Sequence, residues 1–350
     1  MSLDLEQLAR STVRLADPAE AVAPPSFERA ITGGTFVLDQ PDGIPAVWGK
    51  GTEVAWSQGE PLLLVGPPGV GKTTLAQQLV LRRSGVLPGD LLGLPVEPSD
   101  RPVLYVAGDR PRQAARSLRR MVTEADRQAL DAGLIFWPGP LPFHLGTEPE
   151  RLAAMAEQYG AGTVVLDSLK DVAPGLEKPE VGSAVNVALQ HLVAADVEVI
   201  GLHHQRKASG DNKRPTSLAD VYGSTWLTAG AGSVVLLWGD AGDPVVQLSH
   251  LKTPADQLGP WDVTHDHDAG TSTVAERLDP LDLVYGSPKG LTAKALARLL
   301  SNGENATKAE VERARRHLER LASNGLAVKR EGDRTTPALY LPANRLEGLA

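Results

Sequence analysis

Short apolar runs alternate along much of the chain with longer stretches in which apolar residues return every third or fourth position. Pro61–Val65, Pro102–Ala107, Leu134–Trp137, Thr163–Leu166 and Val197–Leu202 have strand length and no polar alternation, the pattern of strands buried on both faces. Helical spacing fills the intervals, at Thr74–Leu81, after Pro111, at Glu148–Gln158 and at Val185–Ala195. Strands alternating with helices predict an α/β domain with a mostly parallel sheet sandwiched by helices. Two later runs, Ser233–Trp238 and Pro244–Leu251, have only Gly239-Asp240-Ala241-Gly242 at their junction and predict a hairpin. Upstream, Thr35–Leu38, Pro45–Lys50 and Val54–Trp56 predict short strands ahead of the first buried one. Phe36 and Trp48 suit either the core or stacking on a base.

The ends of the chain follow other patterns. Residues 1–34 are rich in Ala, Pro and Glu, with a helical start at Leu3, Leu5 and Leu8 that breaks near Pro18, and they predict an extension. The body runs over residues 35–278, its last part an exposed turn bearing His265 and His267. Residues 279–350 predict a third domain. A weak helix near Leu281–Tyr285 and a second over Leu291–Leu300 precede a T-x-x-E capping box, Thr307 to Glu310. The box opens a helix with Val311, Ala314, Leu318 and Leu321 on one face, ended by Asn324-Gly325. Ala327–Arg330 and Ala338–Leu341 complete a β-hairpin, and three helices with a hairpin resemble a small winged helix.

Charge sharpens that division. The 350 residues carry a net −8, yet residues 286–345 hold twelve Lys or Arg against six acids, a local +6. An acidic body with a basic tail suits a tail that meets a polyanion. Lys308, Arg313, Arg316 and Arg320 on the last helix, with Lys329, Arg330 and Arg334 in the hairpin, are the expected contacts to duplex DNA. There is no cysteine, which excludes disulfides, thiolate nucleophiles and Cys-based zinc sites. The acidic N-terminus lacks the pattern of a signal peptide, and no apolar run reaches membrane-spanning length. A soluble, cytoplasmic protein with no membrane partner is expected.

The chemistry is concentrated where the first buried strand ends. Gly66-Pro67-Pro68-Gly69-Val70-Gly71-Lys72-Thr73 reads G-x-x-x-x-G-K-T between a strand and a helix, the context a phosphate-binding loop requires. Its glycines turn backbone N–H groups onto phosphates, and Thr74 continues into the helix, whose N-terminus adds partial positive charge. Lys72 is expected on the β- and γ-phosphates of ATP, and the Thr73 hydroxyl on Mg²⁺. Asp109, Asp167 and the pair His203-His204 fall at carboxyl ends of other strands, the edge where open parallel sheets bind ligands. Asp167 is the expected Mg²⁺-associated acid. No carboxylate follows it directly, so the acid that activates water comes from elsewhere, and Asp109 is the best-placed candidate.

The stretches Gly66–Thr73, Val103–Pro111, Val164–Ser168, Leu202–Lys207 and Gly223-Ser224 together resemble the RecA-type ATPases of the plasmid and phage replicative-helicase group, RepA-like hexamers with an AAA-type ATPase domain. The resemblance spans about residues 45–255. It implies Asp109 at a position where the family usually has glutamate, one methylene longer. It implies His203 or His204 as a γ-phosphate sensor, and Lys252 as a cationic finger that completes a neighbouring subunit's site in a homo-oligomer, a hexameric ring. It also implies that the segments Asp171–Ser183 and Gln205–Arg214 line a channel for single-stranded DNA. Arg206, Lys207, Lys213 and Arg214 give the second of these the charge to follow a phosphate backbone. The expected function is an ATP-driven DNA-handling motor, helicase-like. The alternatives are a recombination mediator, or a regulatory ATPase switch whose tail binds DNA or a partner without unwinding.

Overall fold

A computed structural model of the chain describes residues 30–204, 215, 217–221, 225–275, 278–300, 306–332 and 336–343. The chain divides into two units, Met1–Asp42 and Gly43–Ala350. In the first, the described segment contains a short helix, α1 (Gly33–Leu38), with no buried residue. The strand expected over Thr35–Leu38 is therefore a helical turn. A lone strand would leave its N–H and C=O groups without a ladder, whereas Phe36 N donates to Thr32 O within the segment.

The second unit opens with an antiparallel pair, β1 (Ala46–Lys50) and β2 (Glu53–Ser57). Trp48 and Trp56 are buried here, and their indole N–H groups donate to Leu91 O and Glu60 O. Trp48 is thus a core residue. Then follow β3 (Leu62–Gly66), α2 (Lys72–Arg83), β4 (Val103–Ala107), α3 (Pro111–Leu118), α4 (Arg127–Gly133) and β5 (Leu134–Pro138). Next come α5 (Arg151–Gln158), β6 (Thr163–Asp167), α6 (Leu169–Val172), α7 (Pro179–Ala194) and β7 (Glu198–His204). The body closes with α8 (Thr225–Gly230), β8 (Ser233–Trp238), β9 (Val245–Lys252), β10 (Trp261–Asp266) and β11 (Thr271–Val274).

Nine strands form one sheet in the order β11-β10-β9-β8-β3-β7-β6-β4-β5. The run from β8 to β5 is parallel throughout, and β9, β10 and β11 pair antiparallel. Alternate residues of each strand feed opposite faces. Leu62 and Leu64 pack with Leu75, Leu79 and Val80 of α2, while Leu63 and Val65 join the side that holds Leu152 of α5 and Val185, Leu189 and Leu192 of α7. The result is the expected α/β fold, a large, mostly parallel sheet flanked by helices. The order places β7 between β3 and β6, so the loops after β3, β7, β6 and β4 open side by side on one edge.

Two stretches differ from the sequence expectation. Asp171–Ser183 is not one loop. It contains the end of α6 and the first turns of α7, which begins at Pro179 rather than Val185 because proline suits the first helical position and Glu180 the first turn. Residues 261–274 are not an exposed turn but the hairpin β10–β11, which adds two strands to the sheet and buries His265.

Beyond the body, α9 (Pro280–Tyr285), α10 (Ala293–Leu300), α11 (Lys308–Ser323) and the antiparallel pair β12 (Ala327–Arg330) and β13 (Leu339–Pro342) share their own small core. Leu296, Ala314, Leu318 and Tyr340 are buried in it, and Leu291 bridges to Tyr340 across the foot of the hairpin. Thr307 and Glu310 form the expected capping box, with Thr307 N donating to Glu310 Oε2 at 2.7 Å. One flank of α11 lies against the body: Arg320 reaches Asp256 at 3.0 Å and also Thr52, and Arg313 reaches Gln257 Oε1 at 2.7 Å and the Gly259 carbonyl.

Candidate nucleotide site

The carboxyl edge of the parallel strands carries a cleft of about 750 Å³, lined by the loop after β3, the start of α3, Asp167 to Asp171 and His204. Of the loop Gly66–Thr73, residues Pro68, Gly69, Gly71, Lys72 and Thr73 line it. β3 is buried along its whole length, and Lys72 begins α2, so strand and helix hold both ends of the loop. Gly71 has φ +87°, a backbone state that L side chains rarely adopt.

Lys72 points back into this loop and donates to Gly66 O at 2.9 Å and Pro67 O at 2.7 Å. Burial lowers its pKa to about 8, against the attraction of Asp167. A phosphate that replaced those carbonyls would supply the full negative charge that this ammonium lacks. Beside it, the Thr73 hydroxyl donates to Asp167 Oδ2 at 3.2 Å and the Tyr105 hydroxyl to the same oxygen at 2.7 Å. Burial raises the Asp167 pKa, and the two hydroxyls and Lys72 oppose that rise. Tyr105 is fully buried, its own pKa pushed well up by burial and by the neighbouring carboxylate, so it stays a donor.

The Thr73 hydroxyl and the Asp167 carboxylate are hard oxygen donors brought together where α2 meets β6, a pair suited to Mg²⁺. Among the described residues no group of three or more His, Cys, Asp or Glu could cage a metal by itself. Bound there, the ion would neutralise phosphate charge and orient the terminal phosphoryl group.

Asp109 lines the cleft near the start of α3, half-exposed, with Arg110 Nε 3.1 Å away. The two histidines separate by strand alternation. His204 lines the cleft, whereas His203 is wholly buried in the sheet. His204 has its pKa lowered to about 4 by burial, then by Lys72 and Lys170, and is a neutral imidazole at physiological pH. Its Nδ1 has no hydrogen-bond partner among the described residues. Lys252 lies away from its own cleft. β9 runs against β8 so that Lys252 pairs with Val234, at the amino end of the parallel strands, and its ammonium donates to the Thr228 and Ala229 carbonyls.

The tail residues fall into three groups. Arg313 and Arg320 face the body, as described above. Lys329 pairs with Glu319 at 3.3 Å and Glu331 at 2.9 Å. Lys308, Arg316 and Arg330 are exposed. Arg206, Lys207, Lys213, Arg214 and Arg334 lie outside the described residues, as does Gly223-Ser224.

Sequence reasoning missed Tyr105 as a site residue. The signal was present: a phenol in a buried strand needs a partner for its hydroxyl, and Asp167 ends the adjacent strand. It also missed Gln113, Arg116, Arg120 and Lys170 as cleft residues; the last three, with Lys72 and Arg110, give the cleft an excess of positive over negative side chains.

A family model described as an AAA domain matches residues 52–210. That span runs from β2 to the segment after β7 and holds the phosphate loop, Asp109, Asp167, His203 and His204. Lys252, the β10–β11 hairpin and the tail lie outside it. Among solved structures, one whose title describes an ATPase domain is similar at 15% identity and a TM-score of 0.46, covering 69% of this chain and 95% of that chain. No curated protein matches the chain. Among the described residues no helix is long and apolar enough to cross a membrane.

Proposed function

We propose that the protein is an ATP-dependent DNA-handling motor, helicase-like, that hydrolyses Mg·ATP at the cleft on the carboxyl edge of its sheet. The observation that carries the hydrolytic part is the meeting of Thr73 with Asp167 beside the Lys72 ammonium, in a cleft also bordered by Asp109 and His204. In this reading Lys72 and the loop N–H groups bind the phosphates and Thr73 with Asp167 holds Mg²⁺. Asp109 takes the proton of the attacking water. His204, rather than His203, meets the γ-phosphate, because it alone of the pair lines the cleft.

The DNA part rests on charge and on the family resemblance. We read residues 279–350 as a winged helix for duplex DNA, with Lys308, Arg316 and Arg330 as its exposed cations. Arg206, Lys207, Lys213 and Arg214 are read as contacts to single-stranded DNA. Lys252, at the far edge of the sheet from its own cleft, can serve a nucleotide only in another copy, so the reading requires an oligomer, for which a hexameric ring is the expectation. One observation favours the regulatory alternative. Arg313 and Arg320, two of the tail's cations, are turned onto the body, which suits a tail whose DNA contacts change with the state of the ATPase.

The deciding measurement is ATP turnover with and without single-stranded DNA, alongside mass determination with a non-hydrolysable ATP analogue, with Lys72→Ala as the inactive control. Turnover stimulated severalfold, with ATP-dependent strand displacement, is the expected result. Turnover indifferent to DNA with no displacement would leave the switch reading in its place.

A further inference from the structure

Three side chains distant in sequence converge behind the phosphate loop. His265 of β10 and Ser272 of β11 are direct partners across their hairpin, and both are buried, as is Gln78 of α2. Gln78 Nε2 lies 2.7 Å from Ser272 Oγ, and Gln78 Oε1 accepts from Ser272 N at 2.9 Å. Ser272 Oγ lies 2.8 Å from His265 Nδ1, and His265 Nε2 lies 3.2 Å from the Val70 carbonyl oxygen.

The two ends of this chain fix the protons that meet them. An amide nitrogen only donates and a carbonyl only accepts. Gln78 therefore donates to Ser272, and His265 donates from Nε2 to Val70 O. With the ring neutral and protonated on Nε2, Nδ1 accepts from Ser272, which gives the hydroxyl proton a partner as well. Burial, which lowers the His265 pKa, favours that neutral form.

The consequence for the loop follows from peptide geometry. The Val70 C=O and the Gly71 N–H belong to one peptide unit, and that unit is trans, since the cis bonds are Asp167-Ser168 and Gly259-Pro260. The two groups of a trans peptide point in opposite directions. Holding the carbonyl on His265 therefore aims the Gly71 N–H away from the histidine, on the side of the cleft that Gly71 lines. The contact also leaves no space for a side chain, because a Cβ at Gly71 would fall 2.4 Å from His265 Nε2.

We propose that His265 is a positioning residue for triphosphate binding, holding the Val70–Gly71 peptide so that its N–H is presented to the phosphates. The inference rests on the reading of Gly66–Thr73 as a nucleotide cradle. It adds a support from a hairpin outside the span that matches the AAA-domain model. His265 itself touches no substrate; Ser272 and Gln78 fix its tautomer and ring orientation.

The test is calorimetric titration of the full chain with Mg·ATP, together with steady-state turnover, for the wild type, His265→Ala, His265→Gln, Ser272→Ala and Lys72→Ala. Losing one oriented N–H to a charged group should weaken ATP binding about tenfold in His265→Ala. Kd and KM should rise together, while kcat changes by less than about threefold, the signature of lost ground-state binding. His265→Gln, which can present an Nε2 donor to the same carbonyl, should recover most of the affinity. A folded His265→Ala that binds ATP like the wild type, or a His265→Gln no better than His265→Ala, overturns the proposal. If His265→Ala does not fold, Ser272→Ala decides. It frees the ring to turn, and a Kd equal to wild type would sink the idea. A wild type that takes up no ATP, indistinguishable from Lys72→Ala, would instead overturn the cradle reading itself.

Discussion

Lys72, an ammonium with its pKa lowered to about 8, is held by two carbonyls of its own loop, a partial substitute for the phosphate charge it is placed to meet. Asp109 presents the opposite situation, a half-exposed carboxylate whose ion pair among the described residues is with the adjacent Arg110. Asp109→Asn should leave ATP affinity within about threefold of wild type, since no phosphate contact is lost, and reduce kcat by the two or more orders of magnitude typical of a missing general base. Single-turnover assays read both quantities. Asp109→Glu, one methylene longer, should retain measurable turnover. If Asp109→Asn hydrolyses ATP at the wild-type rate, the base is another group. At this scale the sequence exposed the residues that carry a motif and hid those that support it. Gly66–Thr73 was legible as a motif by its fixed spacing, and Asp167 as the acid that ends an apolar strand. Tyr105 and His265 were not, because their roles depend on which strands become neighbours.

At the scale of elements, α11 joins two cores with one helix. Ala314 and Leu318 face the tail's interior, while Arg313 and Arg320 make polar bonds to Gln257, Gly259, Asp256 and Thr52 of the body. The capping box and the apolar face of this helix could be read from the sequence. The use of its basic flank could not, since a cation facing an intramolecular acceptor and one facing DNA have the same spacing. The Arg320–Asp256 pair is about one-third exposed on each side, so its contribution is modest, about 1 kcal/mol or less. Asp256→Ala should accordingly leave the overall unfolding midpoint nearly unchanged, yet raise hydrogen exchange in α11 and in the connection between β9 and β10. Unaltered protection in both places would mean that the contact does not hold the tail. The strand expected at Thr35–Leu38 failed for a related reason: pattern reveals which residues are apolar but not whether a partner strand exists.

For the molecule as a whole, stability in acid depends on histidines that the sheet keeps neutral. His250 donates from Nε2 to Ser233 Oγ, which in turn donates to Ala55 O, while its Nδ1 has no partner among the described residues. Burial lowers its pKa to about 4 from the ordinary 6.5. Between those values the unfolded chain binds a proton at His250 that the folded chain does not, so the stability from this group declines as pH falls from 6.5 toward 4 and is constant above 6.5. His250→Gln cannot titrate, and its unfolding free energy should fall less steeply than that of wild type over the same window. Urea denaturation at intervals from about pH 7 to about pH 4.5 measures the difference. Parallel curves would mean that His250 is charged in the native state.

The brace on the phosphate loop spans 195 residues of chain, from Val70 to His265. A ribosome delivers the whole G-x-x-x-x-G-K-T signature early, and the strand order lets β3, β7, β6 and β4 pair before the hairpin exists. The loop, however, cannot reach its held geometry until Ser272 has emerged. Nascent chains released before that point would carry every nucleotide motif of the sequence and still capture ATP poorly. A truncation placed just after β9 should behave in the same way. The smallest piece of this protein that binds its nucleotide well is therefore set by the hairpin and not by the last recognisable motif.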